Sequence, residues 1–186
     1  MLPLQIHLTL PPWIGDVADD TRRYESDEER VGLAIELSRQ NVDRGGGGPF
    51  GAAVFDLDNG RLVAVGVNRV VPQSCSVAHG ELMALMVAQQ RLSRHRLNED
   101  GGRYALATSA QPCCQCYGAS VWAGIDELLI GARSEDVEAL TEFDEGPLPA
   151  DWIGELARRQ IVVRRDILRE QARTVLADYG ATGVAY

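Results

Sequence analysis

The fold turns on residues 104–132, YALATSAQPCCQCYGASVWAGIDELLIGA. Tyr104–Ala110 is a short apolar run of strand length, and Glu127–Ala132 is a second one. Between them CYGASVWAG reads as a helix stopped by Gly124. Upstream, FGAAVFDLDNGRLVAVGVNRVV (50–71) places two β-rich runs around Asp58-Asn59-Gly60, a hairpin signal. Downstream, SEDVEAL (134–140) is a short helix capped by Ser134, and DWIGELARRQ (151–160) is a further helix. IVVRR (161–165) is a strand, and ILREQARTVLADYG (167–180) is a closing helix.

Two more helices precede the decisive stretch. SDEERVGLAIELSRQNVDR (26–44) has Ser26 as N-cap, Glu29 three residues on, and Val31, Ala34, Ile35 and Val42 at helical spacing. HGELMALMVAQQRLSRH (79–95) repeats at Leu82, Leu85, Met86, Gln89 and Leu92. The run GGGGP (45–49) lacks the Lys-Ser/Thr of a phosphate-cradling loop and reads as a flexible connection. Strands alternating with helices imply a partly parallel sheet covered on both faces, and the hairpin adds an antiparallel pair. The expected architecture is a three-layer α/β/α domain around a mixed five-stranded sheet. Residues 1–26 form an extended arm, 27–180 the domain and 181–186 a tail.

Length and charge narrow the partners. A chain of 186 residues suits one domain with a real core, and its 45% apolar content is that of a folded protein. The net charge of −9 would repel a phosphate backbone, so no nucleic-acid partner is expected. No window has the uncharged apolar length of a membrane span, so no membrane partner is expected either. The N-terminal stretch has no basic start and is broken by prolines, which points to the cytoplasm. In that compartment clustered cysteines more often bind metal or catalyse than form disulfides.

Three of the four cysteines lie in PCCQC (112–116). Cys113 and Cys116 are three apart at the start of a helix, so both sulfurs share one face, where unsatisfied N–H groups favour thiolates. Cys114 faces elsewhere. His79 opens another helix and supplies a third ligand. Two thiolates and one imidazole make a catalytic zinc site with one position left for water. Zinc so ligated carries no net charge and is a weak Lewis acid. Glu81, two residues after His79, is placed to take the water's proton. Two other arrangements compete: a closed structural site with Cys75 as fourth ligand, and a redox pair. Cys75 and Cys114 otherwise read as buried, inert thiols.

His-x-Glu followed downstream by Pro-Cys-x-x-Cys resembles the zinc-dependent cytidine deaminase superfamily over roughly residues 27–170. Within it GGPFGAAVFD, GVNRVVP, AHGE, TSAQPCCQCYGASVWAG, ARSEDVEAL and FDEGP are similar to the guanine deaminase branch, which includes members acting on amino-triazines. The resemblance implies hydrolytic deamination of a free nucleobase or related amino-heterocycle (guanine, aminopurine or s-triazine type). Zinc would be held by His79, Cys113 and Cys116, with Glu81 as the acid/base. It implies that Asn68 hydrogen-bonds the base and that Phe50 and Trp122 stack on it. Glu145, or less closely Asp144, would be a second proton carrier. Gly80 and Gln111 stand where the branch has alanine and glutamate, and Gly80 is expected to widen the pocket or alter the substrate range. The branch further implies a homodimer with exchanged C-terminal segments, Tyr186 (or Tyr179) closing the partner's pocket. Cytosine, cytidine or nucleotide deamination and a silent zinc-bearing scaffold are the alternatives.

Overall fold

The computed structural model of the protein describes residues 2 and 4–183. Its five-stranded sheet runs in the order β2-β1-β3-β4-β5. β1 (Gly51–Asp56) pairs antiparallel with both β2 (Arg61–Val67) and β3 (Tyr104–Ala110). β4 (Glu127–Ala132) and β5 (Val162–Arg164) continue parallel to β3. The β1–β2 connection is the expected hairpin. The Asp56 carboxylate accepts the Asp58 N–H at 2.8 Å, and Gly60 takes a positive φ of 71°.

Residues one apart on a strand face opposite layers, so each central strand feeds two cores. Ala53, Phe55, Ala107 and Leu129 face α2 (Asp27–Asp43), α6 (Ser134–Leu140) and α8 (Arg169–Gly180). Val54, Leu106, Leu128 and Ile130 face α4 (Gly80–Leu92), α5 (Cys114–Ala123) and α7 (Trp152–Ala157). The mixed sheet with helices on both faces is the expected three-layer architecture.

Four local features depart from the sequence reading. The N-terminal arm contains a short helix, α1 (Ile14–Val17), and Trp13, Ile14 and Val17 pack against the core beside α2. A further short helix, α3 (Val70–Gln73), follows β2. Arg133 is the N-cap of α6, and Ser134 is its first residue. The tetraglycine run is pinned where a flexible link was expected. Asn41 donates from Nδ2 to the carbonyls of Gly48 (2.9 Å) and Asn68 (3.0 Å), and Gly46 and Gly48 are buried.

The close packing of α4 positions the site. A Cβ on Gly66 of β2 would stand 2.1 Å from the Gly80 carbonyl oxygen and 2.4 Å from the Ala84 nitrogen, so only glycine lets the helix lie this near. Because β1 runs antiparallel to β3, its first residue lies at the same edge of the sheet as the last residues of β2 and β3. Phe50, Asn68 and the Gln111–Cys113 turn therefore meet at one edge, beside the N-termini of α4 and α5.

Candidate active site

His79 and Cys113 are the N-cap residues of α4 and α5, both with extended backbone, and neither side chain is used for capping. This leaves the imidazole and thiol free to project from two adjoining helix starts. The His79 Nδ1 lies 3.5 Å from the Cys113 Sγ and 3.6 Å from the Cys116 Sγ. Bonds of about 2.0 Å to nitrogen and 2.3 Å to sulfur in a tetrahedral zinc site put N and S ligands roughly 3.5 Å apart, so the spacing fits zinc. Among the described residues the group with metal-ligand spacing is His79, Cys113 and Cys116; Cys75 is not part of it. The closed four-ligand site therefore finds no fourth protein ligand among the described residues.

Charge supports the same fit. Hydrogen bonds from Cys116 and His79 pull the Cys113 thiol down to about 4, whereas the bond to Cys113, followed by burial, pushes Cys116 upward. Two thiols this close cannot both ionise unless a cation lies between them. The Cys113 contact is also the main reason His79 is raised.

Glu81, in the first turn of α4, is 8% exposed. Burial, followed by the neighbouring Cys113, raises its carboxyl to about 7. Such a group gives and takes a proton near neutral pH. Glu145 is a second buried carboxyl, raised to about 8 by burial and then by the charge of Glu81. Two carboxyls facing one space, the charge of Glu81 disfavouring that of Glu145, can divide acid and base work between them.

Both open onto a cavity of about 340 Å³, of the size that takes small ligands. Phe50, Asn68, His79, Gln111, Cys113, Glu142, Phe143 and Asp144 complete its lining. Asn68 is 1% exposed, and its Oδ1 accepts the Val70 N–H at 3.2 Å. Its amide NH₂ is thus the end left for a ligand, as a donor. Phe50 and Phe143 are tilted partners, ring centroids 5.3 Å apart, forming an apolar wall. The Gln111 amide donates to the Ser134 hydroxyl at 3.2 Å.

Residues 24–132 match the family model of the cytidine and deoxycytidylate deaminase zinc-binding region. The chain belongs to that family. It is 33% identical over 112 residues to guanine deaminase of Bacillus subtilis (strain 168), covering 60% of this chain and 67% of that one. Among solved structures, guanine deaminase from Nitrosomonas europaea superposes with a TM-score of 0.91 at 44% identity, covering 97% of this chain and 99% of that chain. The structure of NE0047 in complex with 2,6-diaminopurine superposes with a TM-score of 0.90 at 46% identity, covering 97% and 95%.

Of the residues singled out in the sequence, Phe50, Asn68, His79, Glu81, Cys113, Asp144 and Glu145 line this one cavity, and Cys116 lies in the metal cluster at its edge. Trp122 is not brought there. It is 80% exposed on α5, two turns beyond the ligands, beside Leu82, Met86 and Ala119. Its aromatic place beside Phe50 is taken by Phe143. Phe143 lies within FDEGP, where two adjacent acids give no local sign that the aromatic ring faces a cavity. Gly80 does not line the cavity. Its missing methyl would point at the Phe50 carbonyl, 3.1 Å away, so a side chain there would press on the backbone beside the cavity wall rather than into the cavity. Cys114 is exposed and Cys75 half-buried, so neither is the buried thiol expected. Tyr179 is buried in the α8 packing, and Tyr186 lies outside the described residues.

Proposed function

We propose that this zinc-dependent deaminase hydrolyses the exocyclic amine of a free aminopurine, guanine foremost, and releases ammonia. One observation carries the reading: a buried carboxyl, Glu81, stands beside a cluster of three metal-ligating side chains at one end of an acid-lined cavity. No arginine or lysine lines that cavity among the described residues, and four carboxyls do, so a nucleotide phosphate finds no cationic partner from those side-chain types there. Amino-triazines share the flat ring and exocyclic amine and belong among the candidate substrates.

His79, Cys113 and Cys116 would hold the metal. When bound, zinc polarises a water molecule and brings its pKa towards neutrality. Glu81 would take the first proton of the attacking water and pass it to the ring nitrogen, then take the second from the added hydroxyl and pass it to the departing amine, two protons accepted and two returned. Glu145 would move a proton between ring nitrogens, with Asp144 beside it in the cavity lining. Asn68 donates to an acceptor on the ring edge, and Phe50 and Phe143 exclude water from the ring faces. Water and aminopurine give the oxopurine and ammonia, so no oxidant or second substrate is required.

The exposed Trp122 with Leu82, Met86 and Ala119 supports a homodimer, because an apolar patch rimmed by polar residues favours a partner. Exchange of residues 181–186, with Tyr186 closing the partner's cavity, belongs to the same reading. A reducing cytoplasm suits a site that needs both thiols free. The test is ammonia release from guanine, 2,6-diaminopurine, cytosine, cytidine and an aminotriazine by the zinc-loaded protein. Guanine or diaminopurine should turn over fastest. Zinc-loaded protein that deaminates none of them would be a scaffold, and the reading would fall.

A further inference from the structure

The last turn of α8 lies behind the loop that carries Glu145. Tyr179 is 6% exposed, and its ring stacks on Phe143 with centroids 5.8 Å apart and planes at 20°. Phe143 in turn meets Phe50 on the cavity wall and stands two residues before Glu145. Next to Tyr179, a Cβ on Gly180 would stand 1.9 Å from the Leu140 carbonyl oxygen, so the helix end presses directly on the start of the loop. α8 is itself clamped to α6 by Arg169, whose guanidinium donates to both Asp136 oxygens at 2.7 and 2.8 Å. At its far end the loop is held by the Cys114 N–H, which donates to the Glu145 carbonyl at 2.9 Å.

We infer that Tyr179 is a positioning residue for the second carboxyl: its ring, through Phe143, holds the 141–146 loop against the cavity and so sets where Glu145 stands. This rests on the reading of Glu145 as a proton carrier. The ring, not the hydroxyl, does the holding, since the Tyr179 hydroxyl makes no hydrogen bond to a described residue. Removing the ring leaves the metal ligands, Glu81 and Asn68 in place and lets the loop move. A misplacement of about 1 Å costs on the order of 100-fold in rate.

The experiment uses full-length, zinc-loaded protein and the variants Tyr179→Phe and Tyr179→Leu, with guanine as substrate. Tyr179→Leu should keep its zinc, lose about tenfold or more in kcat, and change KM by less than about threefold. Tyr179→Phe should match the wild type. Independently of activity, hydrogen exchange of segment 141–146 and of the Cys114 amide should quicken in Tyr179→Leu and not in Tyr179→Phe. Unchanged exchange in Tyr179→Leu, or a loss in Tyr179→Phe equal to that in Tyr179→Leu, overturns the inference. Where Tyr179→Leu does not fold, Tyr179→Met, an unbranched and more adaptable side chain without a ring, is read in the same way. Glu145→Gln in the same assay tests the underlying reading: wild-type turnover there removes Glu145 from the chemistry, while the exchange data still decide what Tyr179 holds.

Discussion

The backbone N–H of Cys114 donates to the carbonyl of Glu145 at 2.9 Å, tying the helix that presents the metal thiols to the loop that presents the second carboxyl. The two halves of the site come from segments some thirty residues apart, and this bond fixes their separation. A carboxyl placed this way is both buried and close to Glu81, which is why its proton is held so firmly.

That firmness predicts a pH dependence of stability. Burial first, and Glu81 second, raise Glu145 from an ordinary 4.5 to about 8. Between those values the unfolded chain has released the proton and the folded protein has kept it, so stability falls as pH rises through the window. The slope is at most about 1.4 kcal/mol per pH unit for one such group. Glu145→Gln should remove this contribution, so its melting temperature should gain on the wild type from pH 5 to pH 8. Parallel curves for the two proteins would show that Glu145 is not held protonated.

Gly66→Ala tests the packing that positions His79. The new methyl would meet backbone atoms of α4, which cannot swing aside, so strand and helix must separate. A loss of about 3 kcal/mol is expected in chemical denaturation, together with weakened zinc retention. Stability within about 0.5 kcal/mol of the wild type would mean that α4 tolerates displacement.

Asn68→Ala should weaken binding more than chemistry. One lost hydrogen bond from a buried amide is worth about 1.5 kcal/mol, which corresponds to roughly a tenfold rise in KM for guanine. If KM is unchanged and kcat alone falls, the amide acts on the reacting atoms and not on the ring edge.

Gly80→Ala should leave the order of substrate preference intact. The added methyl meets the Phe50 carbonyl at 3.1 Å, a contact relieved by a shift of a few tenths of an ångström. A reversal of preference between guanine and an aminotriazine would show that this position shapes the cavity after all.

The sequence made the metal site legible because its chemistry is local. Cys-x-x-Cys at a helix start and His-x-Glu at another constrain their own geometry, and only the meeting of the two had to come from the fold. The five strands were legible for a similar reason, since each is a short apolar run set off by glycine, proline or polar residues. What stayed hidden depends on long-range packing. Phe143 and Trp122 are both aromatic residues near motif residues, and nothing within a few positions of either says which one faces the cavity. The tetraglycine run resembled a linker until Asn41, distant from β2 in sequence, was seen to pin it to the Asn68 carbonyl. Gly80 faced the same difficulty: its neighbour across the gap, Phe50, lies on another segment.

The most direct test of the account is the Glu81→Gln protein, assayed for bound zinc and for ammonia released from guanine. Retained zinc with turnover lowered by about 10²-fold or more is the predicted result, because the ligands remain and the proton carrier is gone. Glu81→Gln that keeps its zinc and still releases ammonia at close to the wild-type rate would contradict it.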